Sequence, residues 1–474
     1  MHVTIFGFIL LPLCVLWFPR PERLLMLIFI TGVFGAATPV VIGSLGLPPM
    51  ALPALMFVLY VVFQLGFGVE FEGARTALRT LEPYMLAVAY GLVSAYMMPR
   101  IFAHEVLVWP QKEMTPSFAA VPLVPGPGNT TQSFYLVMTG VVLVAATLYL
   151  SRREIDLTKL LRIYLWSGLL AIFFAAWQLV QKLTGLWFPY AYISNNPGFI
   201  IANSQTLSFV PRINGSFVEP AHLAYYLSGL IFASGWLVLR GFPSALPRWT
   251  LIGGVLAMLI STSTTGLAVM GMGALGSTLI PLLRKRTTVA RRVIQVGVPL
   301  AIALAIAGAV VVTLKPSVGR SLTVIYSATL NKDQSVSYED RTQKDLDALA
   351  TVPTTFGFGT GWGSFRSSSL IPGILAGLGA WGTALVFWFV LRVVKLLRRA
   401  RRLADHARAN AHDLWAIEGA RAAVVGTLMA AVISAPEVIN LDFYLLLAIL
   451  IAGSVRVAVL DRAVAMPVRR AIPA

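Results

Sequence analysis

The feature that most constrains this chain is a succession of apolar runs long enough to cross a bilayer, separated by short polar or basic stretches. They fall at residues 3–19, 24–47, 51–69, 83–103, 133–150, 160–186, 219–239, 249–283, 293–314, 369–393, 414–435 and 440–459. A helical crossing takes about 20 apolar residues, because lipid cannot satisfy backbone polar groups and the segment must do so itself. The run 249–283 is long and is broken by the polar stretch Ser261 to Gly266. Reading it as two short spans around a polar turn gives about 13 spans.

Composition closes off the alternatives. Of 474 residues, 57% are hydrophobic and 12% charged, where a soluble domain carries about 25% charged residues. That excludes a single water-soluble domain, and the apolarity excludes disorder. Cys14 is the single cysteine, so a disulfide scaffold is excluded too. The expected fold is all-α and polytopic, one membrane domain over residues 1–474. No internal repeat is visible.

The net charge of +17 comes from 37 Lys and Arg against 20 Asp and Glu. The basic residues gather between apolar runs, which is what membrane topology produces; nucleic acid is not an expected partner. Basic stretches at Arg152–Lys159, Arg240–Arg248, Arg284–Arg292 and Arg392–Arg408, and in the tail at Arg462, Arg469 and Arg470, mark the cytoplasmic side. They agree with one another only if 249–283 crosses twice. The run from Arg398 to Arg402 reads as a topology determinant and lipid-headgroup contact. The run Val3–Phe18 has no basic residues before it and no small-residue cleavage site after it, so it reads as a retained span. The amino terminus is then outside and the carboxyl terminus inside. The outer face receives the Pro/Gly-rich loop 104–132, read as an ordered cover or spacer, the segment 187–218 and the long loop 315–368.

Outward segments hold the unexpected polar chemistry. In the first, Pro211 to His222, Pro220 suits the first turn of a helix and Glu219 falls at its N-cap. His222, three residues on, shares a helical face with Glu219. Arg212, Asn214 and Ser216 lie just before them. An ionisable pair near a span end is costly unless partnered; the plain reading is a cap with an interfacial histidine. The turn Ser261–Thr265, with Thr264, either bonds back to helix carbonyls or forms a polar floor for an aqueous cavity. In the loop 315–368, Ser337 to Asp340 has the capping-box pattern. A short amphipathic helix is expected from about Tyr338 to Thr351, with Leu346 and Leu349 on its apolar side and Arg341 in its first turns. The plain partner of Arg341 is Asp345 at i+4. Four alternate glycines from Gly357 to Gly363, followed by Arg366 and three serines, suggest backbone amides and donors around an oxyanion or sugar phosphate. Arg212, Arg341, Arg366 and Arg320 all fall on this outer side, and arginine holds phosphate in a bidentate fork. The five histidines are scattered, the outer side has no DxD run, and neither metal nor cofactor is expected.

At these residues the chain resembles the bacterial O-antigen polymerase and O-antigen ligase superfamily. The stretch RINGSFVEPAHLA from Arg212 to Ala224 is similar to a polymerase-type motif. The STSTTG turn, Arg341 with Gly357 following after fifteen residues, and GFGTGWGSFRSS from Gly357 to Ser368 complete the match in order. The resemblance covers roughly residues 190–390. It implies an inner-membrane, metal-independent inverting glycosyltransferase that joins undecaprenyl-diphosphate-linked repeat units into a surface polysaccharide at the periplasmic face. Arg212 and Arg341, with Arg366 and Arg320 assisting, would hold the diphosphate. Glu219 and His222 would take the acceptor proton, and Asn214, Ser216, Thr264 and Tyr338 would contact substrate. Partners implied are the lipid-linked donor and acceptor, membrane lipids, a chain-length regulator (co-polymerase) and a flippase. Ligases are expected to carry a histidine in the long outer loop, and residues 315–368 hold none, so a polymerase is preferred. The alternatives are a ligase acting on lipid A-core, a lipid-linked-glycan flippase, which would need charge within its spans, and a non-catalytic scaffold.

Overall fold

The structure, a computed structural model, describes all residues except 1, 44, 112–118, 208–209, 284–290, 292–293, 296, 298–335, 405–410, 436–437 and 466–474. The span expected at 293–314, Arg320 and the first part of the long loop lie outside the described residues.

The chain is mostly helical, with three small two- or three-stranded sheets among the described residues. The first half holds α1 (Ile5–Leu16), α2 (Pro21–Gly32), α3 (Ala51–Gly66), α4 (Ala74–Ile101), α5 (Pro127–Leu150), α6 (Leu157–Thr184) and α7 (Tyr190–Ile193). The second holds α8 (Pro220–Arg240), α9 (Leu246–Ser261), α10 (Thr264–Leu283), α11 (Val336–Thr354), α12 (Leu370–Ala404), α13 (Ala411–Ser434) and α14 (Leu441–Ala465). Six of these are long and apolar enough to cross a membrane: α5, α6, α8, α12, α13 and α14. That is fewer than the expected spans, for identifiable reasons. The runs 3–19 and 51–69 form helices of 12 and 16 residues. The run 24–47 stops being helical at Gly32 and continues into short strands at Val40–Ile42 and Leu45–Gly46. α4 is long, yet Arg75, Arg79, Glu82 and Arg100 lower its apolarity. The apolar helices mark a membrane protein, and large side chains such as Phe8, Trp166 and Phe387 are exposed along them.

The long run 249–283 divides as its polar stretch requires. α9 ends at Ser261, Thr262 adopts a left-handed conformation (φ +52°), and α10 begins at Thr264. α9 runs antiparallel to α8, since Ser234 bonds Thr250 (2.9 Å) and a Cβ at Gly266, just past the turn, would meet Met258 and Ala224. A Cβ at Gly273 would meet Phe232, so α10 returns alongside α8 in α8's own direction. The polar turn therefore sits beside the first turns of α8.

α8 packs most extensively on α13, and glycines permit the approach: a Cβ at Gly426 would lie 2.6 Å from Ser228 O. α14, apolar on every side, is enclosed by its neighbours along its whole membrane-length window. The two ends of the bundle differ. At one end, buried Arg456 donates to Leu150 O and Ile155 O and pairs with Asp413 at 3.1 Å. Arg401 and Arg421 share Glu418, Arg153 pairs with Glu72, and Arg152 bonds Gln64. At the other end, loops 33–50 and 194–219 interlock, with Ala36 N bonded to Ser216 O and Asn196 N to Ala36 O.

Candidate functional site

The segment that carries Arg212 and Glu219 is fixed from beneath by one buried side chain. Gln178 of α6 donates to Asn214 Oδ1 (2.8 Å), and its own oxygen accepts from the backbone N–H of Asn214 (2.9 Å) and Gly215 (2.8 Å). Asn214 is fully buried and also donates to Asn203 Oδ1 and Phe217 O. Ser216, likewise buried, donates to Val33 O at 2.6 Å. Gly215 takes a positive φ of 60° where a Cβ would approach Ala175 N at 3.3 Å, so glycine is required at that crossing. Asn214 and Ser216 were expected to touch substrate. Their hydrogen bonds are spent inside the protein, and they shape the loop instead.

Glu219 stands at the N-cap of α8 in extended conformation, and Pro220 occupies the first helical position. The Glu219 side chain does not cap the helix. Its carboxylate lies within electrostatic reach of both Arg212 and His222. Burial lowers the Arg212 pKa from its ordinary value; Glu219 opposes that shift and Arg341 adds to it. His222 in turn feels Glu219 and Arg366. By surface area it is exposed. Arg212, Glu219, His222, Arg341 and Arg366 are thus linked pairwise by their charges.

None of Arg212, Arg341, Arg366 and Glu219 forms a salt bridge among the described residues. Arg212 makes one long bond to Gln205 (3.5 Å), and its buried Nε has no partner. At the opposite end, by contrast, Arg153, Arg392, Arg401, Arg421 and Arg456 are ion-paired.

α11 brings Arg341. It starts at Val336, slightly before the expected position, and runs to Thr354. Asp345 does not pair with Arg341. It accepts from Ser368 N (2.7 Å), Ser369 N (3.1 Å) and Ser369 Oγ (2.6 Å), pinning α11 to the start of α12. The i+4 ion pair on α11 is Asp340 with Lys344. Leu346 and Leu349, expected on the buried side, are exposed, and Ala348 and Thr351 are buried in their place. Tyr338 is also exposed.

Trp109, in the segment after α4, and Asn129, in the first turn of α5, reach this region. Trp109 donates its indole N–H to Asp347 (2.8 Å) and accepts from Arg366 N (2.7 Å), while Asn129 donates to Trp362 O and Ser364 Oγ. The alternate glycines were expected to let a ligand approach backbone amides. All four have positive φ, but they admit protein. A Cβ at Gly359 would lie 2.5 Å from Gly379 N, one at Gly361 2.7 Å from Ser94 O, and one at Gly363 2.6 Å from Gly128 O. The loop thus stitches α4, α5 and α12 together. It also interrupts α12 at Gly379, where Ala380 N bonds Gly357 O.

Beside Arg212 lies a recess of about 550 Å³ lined by Gln181, Lys182, Tyr190 and Asn203 among others. Lys182 donates to Asn203 O (2.8 Å) and Arg212 O (2.9 Å). Burial pushes the Tyr190 phenol above its ordinary pKa, against its bond from Gln178. Sequence reasoning missed Gln178 and Lys182, although a glutamine and a lysine within an apolar run were the available signal. Thr264 is half-buried at the polar turn near Ala224. No group of three or more His, Cys, Asp or Glu able to hold a metal occurs among the described residues. No family model matches the chain, and no curated protein matches it.

Proposed function

We propose that this is a glycosyltransferase of the inner membrane that polymerises undecaprenyl-diphosphate-linked oligosaccharide repeats at the periplasmic face. The observation that carries the reading is that Arg212, Arg341 and Arg366 make no salt bridge among the described residues and are linked electrostatically through one another, Glu219 and His222. Cations held together without matching anions favour an anionic ligand, and arginine's fork fits a diphosphate. The paired basic residues at the opposite end fit a cytoplasmic side.

In this reading, Arg212 and Arg341, with Arg366 assisting, hold the donor diphosphate. The acceptor hydroxyl oxygen attacks the anomeric carbon from the opposite side of the sugar. A new glycosidic C–O bond forms, the C–O bond to the diphosphate breaks, and the lipid diphosphate leaves with the electron pair. Glu219, with His222 beside it, accepts the hydroxyl proton. The guanidiniums stabilise the negative charge that grows on the leaving group. Amide and phenol groups of the adjoining recess suit sugar hydroxyls.

Purified protein given a defined lipid-linked repeat should lengthen it. Arg341→Ala and Glu219→Gln should each slow lengthening by about 100-fold or more while the protein still folds. Wild-type rates in both variants would overturn the assignment. Transfer to lipid A-core in place of a second repeat would make the protein a ligase.

A further inference from the structure

α11 and the turn after it divide their surface in a way a water-exposed loop does not. One helical face carries Arg341, Asp345, Ala348, Thr351 and, beyond the helix end, Thr355, and it is turned toward the protein. The other carries the polar Glu339, Thr342 and Gln343 toward the start of the helix and then Leu346 (56% exposed) and Leu349 (41%), and leads to Phe356 (79%) and Phe358 (42%). A helix packed on a protein in water buries its apolar stripe; here the stripe faces out.

Its depth along the bundle explains the inversion. Arg392 of α12 bonds Arg79 O and Glu82 at the basic end. Gly379 lies thirteen residues before Arg392 on the same helix, a rise of about 20 Å. The hydrocarbon core is about 30 Å thick. With Arg392 at the inner boundary, Gly379 lies about 10 Å inside the outer one. Phe356 and Phe358 are level with Gly379: Gly357 O accepts from Ala380 N, and Tyr90 donates to Phe358 O at 2.9 Å. The Phe356 ring also stands 6.5 Å from that of Phe102 at the end of α4. The exposed residues around them include Trp381 on the membrane helix α12 and, at the end of α4, Ile101 and Tyr96 with Arg100 stacked on its ring.

We propose that α11 is an interfacial helix seated in the outer leaflet. Its Leu346, Leu349 and Phe356 edge enters lipid, and its polar face closes over the arginine cluster. The occupant of the exposed stripe is lipid, because Phe356 and Phe358 lie level with the exposed apolar surface of α12, a membrane-length helix. Much of the segment that reads as an aqueous loop is then a membrane-anchored cover, and the bilayer helps hold Arg341 in place. This inference does not depend on the reaction proposed above.

The test uses the full chain with Cys14→Ser, reconstituted in nanodiscs of phosphatidylethanolamine and phosphatidylglycerol. Leu346→Cys, Leu349→Cys and Phe356→Cys, with Asp340→Cys and Gln343→Cys nearer the start of the helix, are each labelled with a small fluorophore. Nitroxide lipids should quench positions 346, 349 and 356 about threefold or more beyond positions 340 and 343, and aqueous iodide should show the reverse order. Equal access of iodide to all five would overturn the proposal. So would lipid quenching of all five, which means wholesale immersion, or shielding of 346, 349 and 356 from both quenchers, which means a protein partner covers them.

Discussion

Arg212 and Arg341 come from opposite halves of the chain, yet they lie close enough that Arg341 adds to the lowering of the Arg212 pKa. Like charges are brought together here, and the Glu219 carboxylate opposes the effect on Arg212. The arrangement costs stability in the empty protein and favours whatever anion relieves it.

Inorganic pyrophosphate should therefore bind without any sugar. At a concentration about 100 times its dissociation constant it should stabilise the fold by about 2.7 kcal/mol, read as a rise in unfolding temperature. Arg212→Met and Arg341→Met should abolish the rise. A rise that survives in both variants would place the anion elsewhere.

Gln178→Leu should destabilise the protein by about 1–3 kcal/mol, because it strands the buried N–H of Asn214 and Gly215. Lengthening activity should fall with it, since Arg212 and Glu219 ride on that segment. Thermal unfolding beside an activity assay checks both. Unchanged unfolding would mean that the loop is held mainly by Asn203 and Val33.

Asp345→Ala should remove the cap of α12 and release α11, costing about 1 kcal/mol. Asp340→Ala breaks only the exposed pair with Lys344 and should be close to neutral. If Arg341 acts where α11 places it, Asp345→Ala lowers activity far more than Asp340→Ala does. Equal activities would detach Arg341's position from this cap.

Gly361→Ala should be strongly destabilising, because φ is +95° and the new methyl would meet Ser94 O at 2.7 Å. Gly43 also has a positive φ but open space around it, so Gly43→Ala should cost only about 1 kcal/mol. Folded yield in membranes compares the two, and similar yields would show that the glycine loop does not bind the helices together.

Several of these features were legible in the sequence. Pro220 after Glu219 announced the start of α8, and the hydroxyl stretch at 261–265 announced the break between α9 and α10. Both are local backbone signals that read the same in water or lipid. The electrostatic links of Arg212 with Glu219 and Arg341, and of His222 with Glu219 and Arg366, agree with placing their segments at one end of the bundle. The burial of α11 was not legible, because periodicity locates an apolar stripe without saying whether protein or lipid will cover it. Nor was the use made of the alternate glycines: Gly359 and Gly363 look the same in sequence whether a ligand or a neighbouring helix comes close. Gln178 and Lys182 were hidden because one polar side chain in an apolar run does not name its partner.

The enclosure of α14 sets an order of assembly. Among the described helices it is synthesised last, yet α13, α5, α12 and α2 all pack on it. Until it leaves the ribosome, those helices wait in the bilayer around an unfilled seam, and the carbonyls of Leu150 and Ile155 wait for Arg456. Maturation of the whole bundle is thus gated by the late arrival of its innermost strut.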